Sequence, residues 1–351
     1  MAKAEKDVTA VQISAFEPHP LSKKRMAWLV GMGILLVVAS VISLMVGQVS
    51  FSLEEIWNGI VSKTDSLERR IVWDLRIPRV LIGIIVGMCL AVAGTILQGV
   101  LRNPLADPGI IGVSSGAGLM AVLILIVFPE YNLFLPLAAF SGACVTAFII
   151  YALSWKGGAS PIRMILVGVA INAIIGAVMS ALMLLYSDRV QAALPWLSGG
   201  IAGTGWVEFR MIVYYAIIAL ALSFLMIRHL RILKLGDEVA KLLGHHVERS
   251  RFLLIVVSTL LAGIAVSVSG LIGFVGLVVP HMLRLTIGGD ARFLIPASAL
   301  GGGLLVVVAD TIARTVFEPI ELPVGILLSF LGGPFFLYMI QRGRGSIAKG
   351  S

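Results

Sequence analysis

Two arginines, Arg76 and Arg79, stand three residues apart in the stretch DLRIPRVLIGIIVGMCLAVAG, directly before a long apolar run. Residues at this spacing share one face of a helix, and guanidinium groups bind carboxylates in a fixed, two-pronged geometry. The pair therefore predicts a docking point for an acidic partner. The alternative is simple anchoring at a membrane boundary, which lysine would serve equally well.

A second pair of opposite charges, Asp310 and Arg314, lies four residues apart at the end of another apolar stretch. This spacing places both side chains on one helix face and predicts an intrahelical ion pair. The alternative is an ion-coupling site, because coupled carriers keep ionisable groups near the middle of the membrane. Such groups are otherwise scarce in the apolar runs, which disfavours a secondary transporter.

Motifs for nucleotide and metal chemistry are missing from the sequence. No G-x-x-x-x-G-K-[ST] phosphate loop, H-E-x-x-H or C-x-x-C occurs, so the chain cannot bind ATP through such a loop. His245 and His246 are adjacent and would point apart on a helix, while Cys89 and Cys144 sit inside apolar runs as buried thiols. We expect no cofactor or metal on this chain, and no convergent catalytic set for a membrane-embedded enzyme.

The longest polar segment between apolar runs, residues 228–251, contains the sequence GDEVAKLLG. It fits the skeleton E-A-A-x-x-x-G, with Val239 in the middle position. Small residues one turn apart, at Ala240 and Gly244, would let a short helix lie in the groove of a partner protein. The alternative is an ordinary amphipathic loop helix. The predicted contact residues are Leu235, Gly236, Glu238, Ala240, Leu243 and Gly244.

The composition indicates what must hold these residues in place. The chain is 58% hydrophobic and only 13% charged, whereas soluble proteins average about 25% charged residues. A crossing helix needs roughly 20 apolar residues. Runs of this kind are 26–53, 80–101, 108–129, 131–155, 164–187, 211–227, 252–280, 293–309 and 322–341.

These runs predict an all-α polytopic membrane protein with about ten transmembrane helices. The run 252–280 is long enough for two crossings, and Ser269-Gly270 is the expected break between them. A short helix is expected outside the bilayer at SFSLEEIWNGIVSK, with Ser52 as N-cap, and a short helix and turn at AALPWLSGGIAGTGW. Candidate side chains for lining a path through the bilayer lie in the fifth crossing: Met164, Asn172, Met179 and Met183.

The net charge of +8 is distributed unevenly. With ten crossings, most basic residues fall in loops on one side, which the positive-inside rule assigns to the cytoplasm. Both termini are then cytoplasmic, and the basic balance gives no support to nucleic-acid binding. The predicted organisation is a cytosolic tail at 1–25, a ten-helix transmembrane domain at 26–342 that includes the cytosolic loop 228–251, and a cytosolic tail at 343–351.

Several stretches together carry a resemblance to a known family. They are LRIPRVL, GTILQGVLRNPLADPGIIGVSSGAG, LGDEVAKLLG, SGLIGFVGLVVPHMLRL, GDARFLIP, ADTIAR and ELPVGILLSFLGGPFF. From about residue 70 to 342 the chain resembles the FecCD-type (BtuC-like) permeases. These are the membrane subunits of type II ABC importers for ferric siderophores, haem and vitamin B12.

The resemblance implies ten transmembrane helices in the cytoplasmic (inner) membrane of a prokaryote. It also implies a second permease subunit, identical or homologous, two cytosolic ATPase subunits that use ATP and Mg, and an extracytoplasmic substrate-binding protein. The path would be formed by the fifth and tenth crossings of both permeases. The expected cargo is a ferric siderophore, with haem or cobalamin in the same importer class as the alternative.

The resemblance also assigns roles to residues. Arg76, Arg79 and Arg314 match positions that receive glutamates from the two lobes of the binding protein. The LGDEVAKLLG segment matches the coupling helices that sit in a groove of the ATPase.

Overall fold

The computed structural model describes residues 20–47, 49–61, 66–156, 158, 160–316 and 320–347. Within these residues every regular element is a helix. The parts of the predicted tails at 1–19 and 348–351 lie outside the described residues. The first helix begins at Pro20 and the last ends at Ile347, so the described helices extend into both predicted tails.

The α-helices follow one another with short connections. In chain order they are α1 Pro20–Met45, α2 Leu53–Val61, α3 Ile77–Val100, α4 Val113–Val122, α5 Leu135–Leu153, α6 Pro161–Leu185, α7 Val190–Ser198, α8 Trp206–Leu225, α9 Ile227–Leu233, α10 Asp237–Leu242, α11 Val247–Ser269, α12 Val275–Ile287, α13 Ala291–Thr315 and α14 Val324–Ile347.

Shorter helical turns extend or join some of these helices. The α-helical turn Leu67–Arg69 and the π-helical segment Arg70–Arg76 lead without a break into α3. The π-helical segment Leu123–Val127 continues α4. The 3₁₀ turns Pro108–Ile111 and Pro129–Phe134 precede α4 and α5.

In the described part of the chain, seven helices are long and apolar enough to cross a membrane. They are Lys23–Met45, Leu67–Val100, Pro129–Leu153, Pro161–Leu185, Trp206–Leu225, Val247–Ser269 and Ala291–Thr315. Three shorter apolar helices, Val113–Val127, Val275–Ile287 and Val324–Leu337, lie where the sequence predicts the third, eighth and tenth crossings. The all-helical, multi-span class is therefore confirmed, while the number ten stays a prediction.

Two local predictions are confirmed by cap geometry. The run 252–280 is divided as expected: α11 ends at Ser269, and Gly270 follows with φ +62°. Ser52 caps α2, because its Oγ accepts from the Glu55 backbone N–H at 3.3 Å while the Ser52 backbone N–H donates to Glu55 Oε2 at 2.7 Å. This reciprocal arrangement is a capping box.

The centre of the bundle is α3, which packs against α11, α12 and α13. Its backbone comes very close to that of α13, since a Cβ placed on Gly87 would lie 2.1 Å from the carbonyl oxygen of Gly302. Glycine permits this approach, which gives close helix packing where lipid supplies no hydrophobic drive. The long helix α6 differs from α3 because it is mostly exposed. Only 6% of its most apolar stretch is buried, so its apolar side chains face outward.

The helix α3 also separates two polar regions of the bundle. Arg76 and Arg79 lie at its first turn, and Arg102 follows shortly after its last residue, Val100. At 1.5 Å rise per residue these regions are roughly 36 Å apart. We call them the arginine end, with Arg76 and Arg79, and the loop end, with Arg102 and α10.

Candidate functional site

At the arginine end, Arg79 is held by two carboxylates of its own chain. Its Nε and Nη2 donate to the two oxygens of Asp310, each at 2.9 Å, and its Nη1 donates to Glu321 Oε2 at 2.9 Å. The first contact is the two-pronged geometry in which arginine binds carboxylate most strongly. The prediction that Asp310 pairs with Arg314 is therefore wrong: its partner lies 231 residues away in sequence.

Arg76 lies against the end of α1. Its Nη1 donates to the backbone oxygens of Leu44 at 2.6 Å and Met45 at 3.3 Å, and its Nη2 donates to that of Val49. Its guanidinium also lies 4.9 Å from the centre of the Phe51 ring, a cation–π distance. The last carbonyls of a helix have no partner within the helix, so a cation here stabilises the end of α1.

Arg314 reaches the same helix end from α13. Its Nη2 donates to the Ser43 backbone oxygen and, at 2.9 Å, to Ser43 Oγ. Its Nε is buried and has no hydrogen-bond partner in the described part of the chain. Arg314 and Arg76 therefore gather at the end of α1, while Arg79 lies beside them on its carboxylates.

The structure thus brings the three predicted docking arginines together, but all three are engaged inside the chain. Arg76 and Arg314 are each 6% exposed, and the Arg79 side chain is 13% exposed. Their three positive charges face two carboxylates, Asp310 and Glu321, so this group keeps a net charge of +1. Their role in docking stays a prediction.

At the loop end, the short helix α10 is fixed by its first residue, Asp237. Its two oxygens accept from Arg251 Nη2 at 3.0 and 2.8 Å, and Oδ1 also accepts from Arg102. Arg251 is 2% exposed and donates to Glu248 Oε1 at 2.9 Å. We call Asp237, Arg102 and Arg251 the Asp237 clamp, because they join α10 to the end of α3 and the start of α11.

Two details show that the clamp is favourable. Burial raises the pKa of Asp237, but hydrogen bonding and charge from Arg251 and Arg102 outweigh burial, so the pKa lies below its ordinary value. Arg102 adopts φ +49°, a left-handed conformation that is unfavourable for residues with a Cβ. In this conformation its side chain contacts Asp237.

The outward face of α10 is apolar. Leu242 is 87% exposed, and the other exposed apolar side chains around it are those of Leu235, Val239 and Leu243. We call these four residues the leucine face. The motif does not predict Leu242 and Val239 as contact residues, because it depends on small residues. The sequence signal for them is the presence of several apolar residues within a polar loop.

The small residues of the motif have other roles. Ala240 is fully buried and packs α10 onto the bundle; its predicted contact with a partner stays a prediction. Gly244 has φ +74° and ends the helix: its N–H donates to Lys241 O at 2.9 Å and the His245 N–H donates to Ala240 O at 3.0 Å. This pattern is a Schellman motif, which requires a residue in the left-handed region.

The predicted path residues of α6 do not share one outward face. Met164 is fully buried, and its predicted place along a path stays a prediction. Asn172 is half-buried and donates to the Gly109 backbone oxygen at 3.0 Å, while its Oδ1 accepts from Ser115 Oγ at 2.6 Å. Met179 and Met183 are also half-buried and pack in a small apolar cluster with α4 and α7.

Metal-ligating side chains do not gather in the described part of the chain, where no group of three or more His, Cys, Asp or Glu residues could hold an ion. His229 and His245 lie side by side, with ring centroids 5.3 Å apart. His245 Nε2 already lies 3.0 Å from Ser250 Oγ. The chemistry of the site is therefore that of ion pairs and an apolar contact surface.

Comparison with known proteins places this geometry in a family. A model of the FecCD transport family matches residues 35–342. The chain is 38% identical over 311 residues to the Fe(3+)-citrate import system permease protein YfmE of Bacillus subtilis, covering 88% of this chain and 93% of that protein. It is 42% identical over 318 residues to the hemin transport system permease protein HmuU of Yersinia pestis, covering 89% and 94%.

A solved structure agrees with the sequence relatives. It is a metal-chelate type ABC transporter in an inward-facing conformation, with a TM-score of 0.79 and 30% sequence identity. The match covers 90% of this chain and 98% of that one. This chain belongs to the FecCD transport family.

Proposed function

We propose that this chain is the permease subunit of an ABC importer that carries a ferric siderophore inward. ATP, with Mg, is hydrolysed by separate cytosolic subunits. Relatives named for iron complexes include the Fe(3+)-citrate permease YfmE, a probable siderophore permease and the iron(3+)-hydroxamate permease FhuG, all of Bacillus subtilis. Other relatives are named for the transport of hemin and cobalamin, so these two compounds are the alternative cargoes.

The observation that carries this proposal is the leucine face of α10. Exposed apolar patches on otherwise polar loops mark interaction sites. The face surrounds Leu242, and α10 itself is fixed to the bundle by the Asp237 clamp. We assign this face to the groove of the ATPase, with Glu238 and Lys241 exposed at its rim.

The Asp237 clamp gives a route for coupling. When the ATPase subunits close on ATP and displace α10, the displacement acts on Arg102 after α3 and on Arg251 at the start of α11. These two helices are buried in the bundle, so they move as rigid bodies more easily than they bend. Alternating access of a path between two permeases follows from such movements.

A second permease subunit, identical or homologous, accounts for the apolar outward face of α6. That helix is the least buried of the seven long apolar helices in the described chain, and α14 carries exposed apolar side chains such as Phe330. We propose that both helices border the path between the two subunits. The chain then lies in the cytoplasmic membrane of a prokaryote, with the loop end and both termini inside.

Docking of a substrate-binding protein is assigned to the arginine end. The group keeps a net positive charge, because three arginines face two carboxylates. Glu321 is the more exposed carboxylate on Arg79, at 36% against 6% for Asp310. A glutamate from a binding protein would therefore displace Glu321 and leave the Arg79–Asp310 pair intact.

Charge at this end also argues against an ion-coupled secondary carrier. Asp310 is the clearest carboxylate within the apolar runs, and Arg79 binds both of its oxygens. A carboxylate held in this way is neutralised and is not available to bind and release a coupling ion.

The proposed contact with the ATPase is tested by replacing one leucine of the leucine face. Leu242→Glu, tested with the co-expressed ATPase subunits, should reduce their co-purification about tenfold or more, because a charge enters an apolar contact. Leu133→Glu is the matched control, since Leu133 is 79% exposed and lies in the 3₁₀ turn before α5. Equal co-purification of both variants would contradict the assigned contact.

Cargo is tested separately in proteoliposomes that contain the whole complex. We expect ATP-dependent uptake of a ferric siderophore in preference to hemin or cobalamin. Preference for either of these assigns the alternative cargo, whereas uphill uptake by the isolated chain without nucleotide would overturn the importer assignment altogether.

A further inference from the structure

A large groove runs along the outside of the bundle between α5, α8 and α11. Its volume is about 700 Å³. Both α5 and α8 pack against α11 and diverge from each other, so α11 forms the floor of the groove. Its lining is mostly apolar and includes Leu222 of α8 and Leu260 of α11.

The direction of the groove is set by the helices that line it. Arg210 lies in the second turn of α8, and Leu222 lies twelve residues further along the same helix. The groove therefore extends roughly 18 Å from the arginine end into the apolar part of the bundle. It opens sideways, because Leu137 and Ile218 on its two walls are exposed at 66% and 59%.

The mouth of the groove carries a cation with unused donors. Arg210 donates its Nε to the Trp206 backbone oxygen at 3.1 Å, which fixes the guanidinium beside the opening. In the described part of the chain, no hydrogen bond or ion pair involves its two Nη groups. They are free to bind an anion in a two-pronged geometry.

The aromatic side chains around Arg210 are those typical of a membrane–water boundary. Trp73 and Trp206 have ring centroids 5.3 Å apart, and the Trp206 Nε1–H donates to the Trp73 backbone oxygen at 2.8 Å. Tyr214 and Tyr215 line the groove just below Arg210 and are exposed. Tryptophan and tyrosine collect at this depth of a membrane because one end of the ring system is apolar and the other polar.

We propose that the groove binds one anionic phospholipid, with its phosphate on Arg210 and an acyl chain along α11. The apolar walls and the sideways opening suit a chain that enters from the bilayer. The free Nη groups of Arg210 at the mouth complement a negative headgroup. A short soluble anion could bind Arg210 but would leave the groove empty, and a zwitterionic lipid would bring a cation close to the guanidinium.

The inference does not depend on the cargo or on the ATPase partner, and it is tested on the chain purified in detergent. Native mass spectrometry would follow titration with phosphatidylglycerol, with phosphatidylcholine of the same acyl chains, and with sn-glycerol 3-phosphate. We expect phosphatidylglycerol to bind about tenfold more tightly than phosphatidylcholine, and sn-glycerol 3-phosphate to bind negligibly.

Three variants separate headgroup from chain. Arg210→Gln should weaken phosphatidylglycerol about tenfold, to the level of phosphatidylcholine, because it removes charge-assisted hydrogen bonds. Arg189→Gln is the matched control: it removes a positive charge outside the groove, from a residue paired with Asp188, and should have no effect. Ala219→Leu narrows the groove from the α8 side and should weaken both lipids.

The comparison of the two arginine variants decides the matter even if Ala219→Leu does not fold. Equal loss of phosphatidylglycerol in Arg210→Gln and Arg189→Gln would overturn the site. So would equal affinity of the wild type for the two lipids. Displacement of phosphatidylglycerol by sn-glycerol 3-phosphate would show that the mouth binds a free anion, and would overturn a lipid occupant.

Discussion

Replacement of Asp237 by asparagine removes the charge of the Asp237 clamp with almost no change in shape. The asparagine keeps one oxygen for Arg251 or Arg102, but its amide group cannot accept a hydrogen bond. Arg251, which is 2% exposed, then retains Glu248 as a counter-charge, at 2.9 Å. The variant should therefore loosen α10 from the bundle without exposing the buried arginine to an environment that lacks any carboxylate.

The magnitude follows from the exposure of each partner. A hydrogen bond to a charged group contributes about 1.5–3 kcal/mol when it is well buried. The Asp237 side chain is 37% exposed, so water screens the interaction and we reduce the loss to about 1–1.5 kcal/mol. The contact between Arg102 and Asp237 adds little to this free energy, because both side chains are more than a third exposed. A loss of this size corresponds to roughly a tenfold increase in the detached population of α10.

Hydrogen exchange measured on the chain in lipid nanodiscs reports that population directly. The amides to follow are those of Leu243, Gly244 and His245, which are hydrogen-bonded only while α10 is formed. We expect about tenfold faster exchange there in Asp237→Asn. Glu238→Gln is the matched control, because it removes the negative charge of the neighbouring residue, whose side chain is exposed. Equal exchange in the two variants would refute the clamp.

Three further outcomes test other parts of the structure. Arg79→Ala removes the arginine that binds the buried Asp310 carboxylate and should lower the free energy of unfolding by about 3 kcal/mol. Thermal unfolding should show a smaller loss in the Arg79→Ala/Asp310→Ala double variant, because no carboxylate is then left buried without its partner. An equal or larger loss in the double variant would contradict the ion pair. Gly244→Ala should destabilise α10 by about 1 kcal/mol, because residue 244 has a positive φ that is unfavourable for alanine. Gly244→Asn should destabilise α10 by less, and hydrogen exchange of α10 measures both effects. Equal destabilisation by alanine and asparagine would contradict the backbone strain at this position. Because the pKa of Asp237 is lowered in the folded protein, the clamp is fully present above its unfolded pKa of about 4. The Asp237→Asn penalty in thermal unfolding should therefore be constant from pH 7 to pH 5, and a penalty that fades in this window would contradict the assigned pKa direction.

Features governed by neighbouring residues could be predicted from the sequence. The break at Ser269-Gly270 and the cap at Ser52 are confirmed because each depends on backbone preferences within a few residues. The long apolar runs predicted helices for a comparable reason: in a bilayer, a helix satisfies its own backbone hydrogen bonds. The family assignment rests on many such local stretches in the expected order.

Features governed by packing between distant segments could not be predicted in this way. Asp310 has Arg314 within reach on its own helix, yet Arg79 offers it a two-pronged contact from a neighbouring helix. Ala240 and Leu242 are two residues apart in a helix of six residues, too short for a periodic pattern to show which face is buried. Met164 and Leu166 pose the same problem on α6, where every face is apolar and only tertiary contacts separate buried from exposed.

The two polar ends are connected through α3. Arg79 at its start is bound to α13 through Asp310, and Arg102 beyond its end is bound to α10 through Asp237. Between them the helix is largely buried and touches the α13 backbone at Gly87, so bending it would open contacts that pack without voids. A shift imposed at one end is thus carried to the other as a movement of the whole helix. The buried Arg79–Asp310 pair contributes about 1.5–3 kcal/mol, a bias that changes the balance between two conformations by about tenfold or more, whereas the more exposed Arg102–Asp237 pair contributes less. In a transporter with proposed docking at one end and proposed coupling at the other, exchange of partners within these ion pairs is sufficient to link the two events.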